Sequence, residues 1–228
     1  SCSIQREECA AKRNFVIGTA GVFIADILAI LVLSHYQQTS AVRPQNKFAA
    51  QIPQFHSTVD ADEDGIDDQT DVLNGALAYV NSHPKYKSGY YQGGTPDDGY
   101  GVCTDVVAYA LKNTGYDLQA LVDVDIRANP EEYGITEPDA NIDFRRVRNL
   151  KVFFARNAIP LTTDVSDVEQ WQGGDIVIFE KHIGIVSDRR NWDGVPYVIH
   201  HNDPWQTAYE QDILEKRTDI VGHYRISQ

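Results

Sequence analysis

The sequence is poor in cysteine and in positive charge. Only Cys2, Cys9 and Cys103 occur in 228 residues. Two of them precede an apolar run, so the remainder of the chain carries one thiol, which excludes a disulfide framework there. Lys and Arg number 20 against 33 Asp and Glu, a net charge of −13. Nucleic-acid binders carry basic patches, so no nucleic-acid partner is expected. Unaided docking to an anionic membrane surface is disfavoured for the same reason. The spacings Cys-x-x-Cys, His-x-x-x-His and His-Glu-x-x-His are also missing. Cys103, His182 and His200 with a water would suit a catalytic zinc by residue type, but no ligand spacing supports one. No clean Ala-x-Ala site and no Leu-x-x-Cys pattern follow the apolar run, which argues against a cleaved signal peptide and a lipoprotein.

That run, Phe15–Leu33, holds 19 residues with one charge, Asp26. It is long enough to cross a hydrocarbon core. Lys12 and Arg13 precede it, which orients the N-terminus inward. Residues 15–35 therefore read as a single transmembrane anchor, with 1–14 cytoplasmic and the C-terminal domain outside the cell. Asp26 is a costly residue in such a span. Residues 36–59 are polar and Gln-rich, with Pro44 and Pro53 and no periodicity, and read as a stalk or linker.

Residues 60–71 follow an EF-hand loop pattern. Asp60, Asp62, Asp64, Asp68 and Asp71 stand at loop positions 1, 3, 5, 9 and 12, with Gly65 at position 6 and the Ile66 carbonyl at position 7. Hard oxygen donors at these intervals predict a structural calcium ion, with Asp replacing the usual bidentate Glu at position 12. A solvated acidic turn that caps the next helix is the plainer alternative.

Residues 72–228 have the composition of one globular domain. Val72–Asn81 has the spacing of a short helix, and Leu118–Ala128 of another. Residues 83–98 form a Gly-, Pro- and Tyr-rich loop whose Tyr86, Tyr90 and Tyr91 either line a cleft or cover the core. A glycine-rich turn, Gly99-Tyr100-Gly101, delivers Cys103 to the start of a run in which Val106, Val107, Ala110 and Leu111 repeat at helical spacing. A thiol at a helix N-terminus is expected to have a lowered pKa and to be nucleophilic; a buried small hydrophobe is the bland alternative. Residues 141–157 read as one amphipathic helix, with Arg145, Arg146 and Arg148 on a solvated face or paired with nearby acids, and a grip of Arg145 or Arg146 on a substrate carboxylate as the less favoured alternative.

From Trp171 the pattern turns to strands. Ile176–Phe179 is apolar throughout, as in a strand buried on both faces. Glu180-Lys181 is a tight reversal, and strands are expected over 182–186, 195–201 and 220–226. Helices first and an antiparallel meander second describe an α+β fold. A hairpin sets the start of one strand beside the end of its antiparallel partner, so His182 falls next to His200 or His201. With the Cys103 helix on that face, a nucleophile, a base and an orienting group converge.

The segments Gly-Val-Cys103-Thr-Asp105, Trp171-Gln-Gly-Gly-Asp175-Ile-Val-Ile-Phe179, His182-Ile-Gly-Ile-Val-Ser-Asp188 and Tyr197-Val-Ile-His200 resemble the papain-like cysteine peptidases of bacterial cell walls, NlpC-type endopeptidases and CHAP amidases. Residues 98–226 also resemble a bacterial family known as a domain of unknown function (number twelve eighty-seven), through Gly-Val-Cys-Thr-Asp, residues 141–150 and Gly222-His223-Tyr224-Arg225. The resemblance implies a papain-like fold with Cys103, His182 and His200 as catalytic residues and no catalytic cofactor. It implies hydrolysis of an amide bond in peptidoglycan or another cell-envelope substrate. NlpC-type enzymes usually carry Asp-Cys-Ser where this chain has Val102-Cys103-Thr104. A non-catalytic envelope-binding module and a thioester-forming acyltransferase are the competing expectations.

Overall fold

The computed structural model describes residues 24–29, 43–206 and 208–228. The chain divides into two units, Ser1–Gln38 and Thr39–Gln228. In the first, residues 24–29 are helical and exposed; the rest of the expected anchor, and residues 1–14, lie outside the described residues. No helix among the described residues is long and apolar enough to cross a membrane.

The second unit is an α+β domain. Helix α1 (Asp68–Asn81) starts four residues before the expected Val72, because Asp67 caps it, accepting from the Thr70 N–H at 3.1 Å. A two-residue parallel pair, β1 (Lys85–Tyr86) with β2 (Tyr100–Gly101), ties off the loop between them. Helix α2 (Cys103–Lys112) follows at once, then α3 (Leu118–Ala128) and the single turn α4 (Pro130–Tyr133).

The expected helix over 141–157 is broken. A 3₁₀ turn at Asp143–Arg145 is followed by extended backbone at Arg146, and α5 occupies Val147–Asn157. The break turns Arg145 inward, where its Nε and Nη2 donate to the two Asp105 carboxylate oxygens at 2.7 and 2.9 Å. Arg145 thus follows the pairing alternative, as a buried ion-pair partner of Asp105, and is not part of a solvated face.

Six strands form one antiparallel sheet in the order β3-β8-β4-β5-β6-β7. They are β3 (Ile159–Pro160), β4 (Ile176–Phe179), β5 (His182–Arg190), β6 (Pro196–Ile199), β7 (Glu210–Gln211) and β8 (Ile220–Arg225), with a second 3₁₀ turn at Leu214–Lys216 before β8. The alternation of β4 divides its residues between two cores. Ile176 and Ile178 join the main core beneath the helices, whereas Val177 and Phe179 pack with Trp171, Val198 and Leu214 on the other face.

The expected stalk over 36–59 is, from Arg43 on, a strap bound along the domain. Gln54 Nε2 donates to the Gly173 carbonyl at 3.0 Å, the Phe55 N–H donates to Gln172 Oε1 at 3.1 Å, and the Ser57 and Ser227 hydroxyls meet at 2.8 Å. These are nonlocal bonds made by polar residues, which a search for periodicity does not register.

Candidate active site

Cys103 occupies the first position of α2, preceded by Val102 in extended conformation. The Asp105 carboxylate, two residues on, accepts the Val102 N–H at 2.8 Å and closes the helix start. Asp105 in turn holds Arg145, whose Nη1 donates to the Gly89 carbonyl at 2.6 Å and whose guanidinium lies 5.0 Å from the Tyr91 ring. The turn that presents the thiol is therefore bolted to the tyrosine-rich loop.

Helix α2 packs on β5, and His182 is the first residue of that strand. The pairing of Ile185 with Ile199 brings the start of β5 beside the end of β6. His182 Nε2 and His200 Nδ1 then lie 2.8 Å apart, the rings nearly perpendicular at 84°. Gly184 makes this approach possible: a Cβ there would meet Val198 Cγ1 at 2.7 Å and the Ile199 carbonyl at 2.9 Å. His200 Nε2 bonds Gln211 Oε1 at 2.8 Å. Gln211 belongs to a two-residue strand whose sequence carries no strand pattern, and no signal in the sequence pointed to it.

His201 faces elsewhere. It is buried, stacks edge-on against Tyr86 at 5.3 Å and against Tyr209 at 5.1 Å, and its Nδ1 has no hydrogen-bond partner. Of the two adjacent histidines, His200 is the one bonded to His182. Tyr86 stands close enough to Cys103 for burial, with the charge of a thiolate second, to raise its phenol pKa. Tyr90 is exposed and bonds Asn141.

The electrostatics correct one expectation. Burial pushes the Cys103 thiol up to about 11. The backbone N–H groups of Ile183, Thr104 and Cys103 itself favour the thiolate, as the helix start should, but desolvation and the Asp105 charge outweigh them. Burial also drives His182 well below 6.5, with the neighbouring His200 and Arg217 adding to the effect. His200 falls to about 4, again through burial first. Thiol and imidazoles are thus neutral at rest; no thiolate–imidazolium pair is preformed.

In the acidic loop, the carboxylates of Asp60, Asp62 and Asp64 converge to within 4.8 Å of one another. Asp60 accepts the Asp64 and Gly65 N–H groups at 3.2 and 2.9 Å, and Asp64 accepts that of Ile66 at 2.8 Å. Ile66 is exposed. Asp71 is buried close enough to this cluster to be raised to about 6, through desolvation first and then the charges of Asp64, Asp62 and Asp60. Asp68 departs from the expected ligand set. It is buried and accepts from the Ala61 N–H at 2.8 Å and the Tyr116 hydroxyl at 3.0 Å. The next helix turns it inward, because α1 already begins at that residue.

A family described as a domain of unknown function, DUF1287, matches residues 73–226, which include every residue of the Cys103–His182–His200–Gln211 group. The chain belongs to the DUF1287 family. It is also 38% identical over 169 residues to the uncharacterized protein YijF of Escherichia coli (strain K12), a match spanning 68% of this chain and 80% of that protein. No solved structure matches the chain. The DUF1287 span holds a second buried histidine centre. Asp175, fully buried, receives Arg225 through Nε and Nη2 at 2.8 and 3.0 Å, and lies 3.1 Å from His223 Nε2. Its Oδ1 also accepts from Gln69 Nε2 at 2.9 Å. The His223 ring stacks on Trp171 at 3.7 Å, and its Nδ1 meets the Thr162 carbonyl at 2.6 Å. Both ring nitrogens are spoken for, so this DUF1287 histidine is structural.

Proposed function

We propose that the chain is an extracytoplasmic cysteine hydrolase of papain-like architecture that cleaves an amide bond in peptidoglycan or another cell-envelope substrate. Cys103 is the nucleophile, His182 the base and His200 the group that orients it. The observation that carries this reading is the 2.8 Å bond between His182 Nε2 and His200 Nδ1 on the strand against which the Cys103 helix packs. With His182 Nε2 engaged, Nδ1 is the nitrogen left for the thiol.

The chemistry follows from neutral partners. The Cys103 sulfur's electron pair attacks the carbonyl carbon as its proton passes to His182 Nδ1, and the C=O π pair moves to oxygen. The Cys103 N–H at the helix start donates to that oxyanion. When the C=O bond re-forms, the C–N bond breaks and the leaving amine takes the proton from His182. Water then adds to the thioester with His182 as base, releasing the acid and restoring the S–H. Burial keeps the thiol protonated until a substrate arrives, which protects it from adventitious oxidation.

Cys103→Ala is expected to abolish release of peptide or sugar fragments from purified cell wall while leaving the denaturation midpoint nearly unchanged. Digestion equal to wild type sinks the mechanism. The segment 15–35 is proposed as the membrane anchor that keeps the domain at this substrate.

The acidic loop is proposed to hold calcium through Asp60, Asp62 and Asp64, with Asp71 as the fourth carboxylate and the Ile66 carbonyl beside them. The raised Asp71 supports this, because a divalent cation relieves the crowding that raises it. Calcium is expected to raise the melting temperature in a titratable way, with about 2.7 kcal/mol of added stability at a hundredfold excess over Kd. Identical melting in calcium and in EDTA overturns the assignment.

A further inference from the structure

We infer that Gln211 is a positioning residue that sets the direction of the whole proton chain: its carbonyl accepts the His200 Nε2–H and so leaves His182 with a bare Nδ1 for the Cys103 thiol. The inference rests on the hydrolase reading for its purpose but not for its geometry.

The amide orientation comes first. Gln211 Nε2 lies 3.3 Å from the Ala208 carbonyl. Only an N–H can face a carbonyl oxygen, so the Gln211 oxygen is the atom that faces His200, at 2.8 Å. An oxygen at that distance needs a donor, so His200 carries its proton on Nε2. In a neutral ring the other nitrogen, Nδ1, is then an acceptor, and it lies 2.8 Å from His182 Nε2. His182 must donate there, which leaves its own Nδ1 unprotonated. One amide thereby selects one tautomer out of two at each ring. A reversed amide would reverse the chain and leave the thiol facing an N–H, which cannot accept its proton.

Gln211 is itself held. Its neighbour Glu210, on the opposite face of β7, receives Arg43 Nε at 2.9 Å and Nη2 at 3.0 Å, together with the Ser187 hydroxyl. The strap thus anchors the edge strand from which Gln211 reaches the rings. A neutral amide, rather than a carboxylate, at this place matters for charge. The charged and titratable groups that act on the two rings are Arg217, His201 and Asp203, and Arg217 and His201 disfavour a cation on the rings. Gln211 adds no negative charge to offset them, so the resting pair stays neutral.

Two variants test this without any substrate. Histidine ¹⁵N shifts in the full chain are expected to report Nε2–H at both His182 and His200 in the wild type, and mixed tautomers at His200 in Gln211→Leu. Gln211→Glu keeps the acceptor and adds a charge that favours a protonated ring and hence a thiolate beside it. Its profile of Cys103 alkylation by iodoacetamide is expected to shift about one pH unit downward, roughly tenfold faster below the midpoint. Unchanged tautomers in Gln211→Leu, or an unmoved alkylation profile in Gln211→Glu, overturn the proposal. A side chain that only filled space would leave the His200 tautomer unchanged in Gln211→Leu. If the chain cleaves no cell wall but both shifts occur, the hydrolase reading fails and the role of Gln211 stands.

Discussion

Two buried histidine centres share one sheet and are built oppositely. At His223 a fully buried carboxylate, Asp175, accepts from Arg225, Gln69 and the Gln172 N–H, and both imidazole nitrogens are bonded. At His182 and His200 no carboxylate among the described residues hydrogen-bonds either ring. The bonds run in line through Gln211, and one nitrogen is left over. A closed network of that kind holds backbone segments together; an open chain of neutral donors and acceptors can take up a proton and return it. Residue type alone does not separate the two, because both are buried histidines beside an apolar strand. What separates them is the count of committed nitrogens.

The contrast is broken most strongly by acid. His182, His200 and His201 are all depressed below 6.5 by burial, His200 and His201 to about 4. The unfolded chain binds the extra protons between these limits, so the stability they contribute is complete above pH 6.5 and lost as pH falls toward 4. Unfolding free energies from urea titrations are expected to drop by several kcal/mol in sum between pH 7 and pH 4. A flat profile would remove the neutral pair from the account.

Next in size is the lock. Asp175→Ala leaves the Arg225 cation without its carboxylate and strips acceptors from Gln69 and the Gln172 N–H. A loss of about 3–5 kcal/mol is expected in denaturant titrations. Cys103 alkylation in the folded fraction should stay as in wild type. Altered alkylation would mean that the two centres are coupled.

The smallest effect sharpens the open chain. Gly184→Ala places a methyl within 2.7 Å of Val198 Cγ1 and 2.9 Å of a carbonyl, so β5 and β6 must separate. About 1–3 kcal/mol of stability is expected to go with it. The His182–His200 bond should lengthen, read as a loss of the shared Nε2–H tautomer by NMR. Retention of that tautomer would show that the glycine does not set the approach.

Much of this site was legible in the residues. Helical spacing after Cys103 set the thiol on a helix start, an unbroken apolar run marked β4, and the two-residue reversal at Glu180-Lys181 put His182 across from the end of β6. Each of these is a local pattern repeated over several residues. Other features escaped because their partners are remote. Arg145 sits in a stretch with amphipathic spacing, and only its approach to Asp105, 40 residues away in sequence, breaks that helix. The strap from Arg43 to Ser57 shows no period because each polar residue bonds a different loop. Gln211 lies in a strand too short to leave a pattern.

The sequence by itself determined the α+β order, the lone thiol at a helix start, the hairpin that pairs two histidines and the spacing of the acidic loop, since periodicity and turn chemistry act over a few neighbouring residues. Tertiary structure alone decided that the thiol is neutral, that His200 rather than His201 meets His182, that Asp68 turns away from the loop and that an amide orients the chain. Desolvation and hydrogen-bond direction depend on what distant segments bring to the same point in space, and no local pattern encodes that.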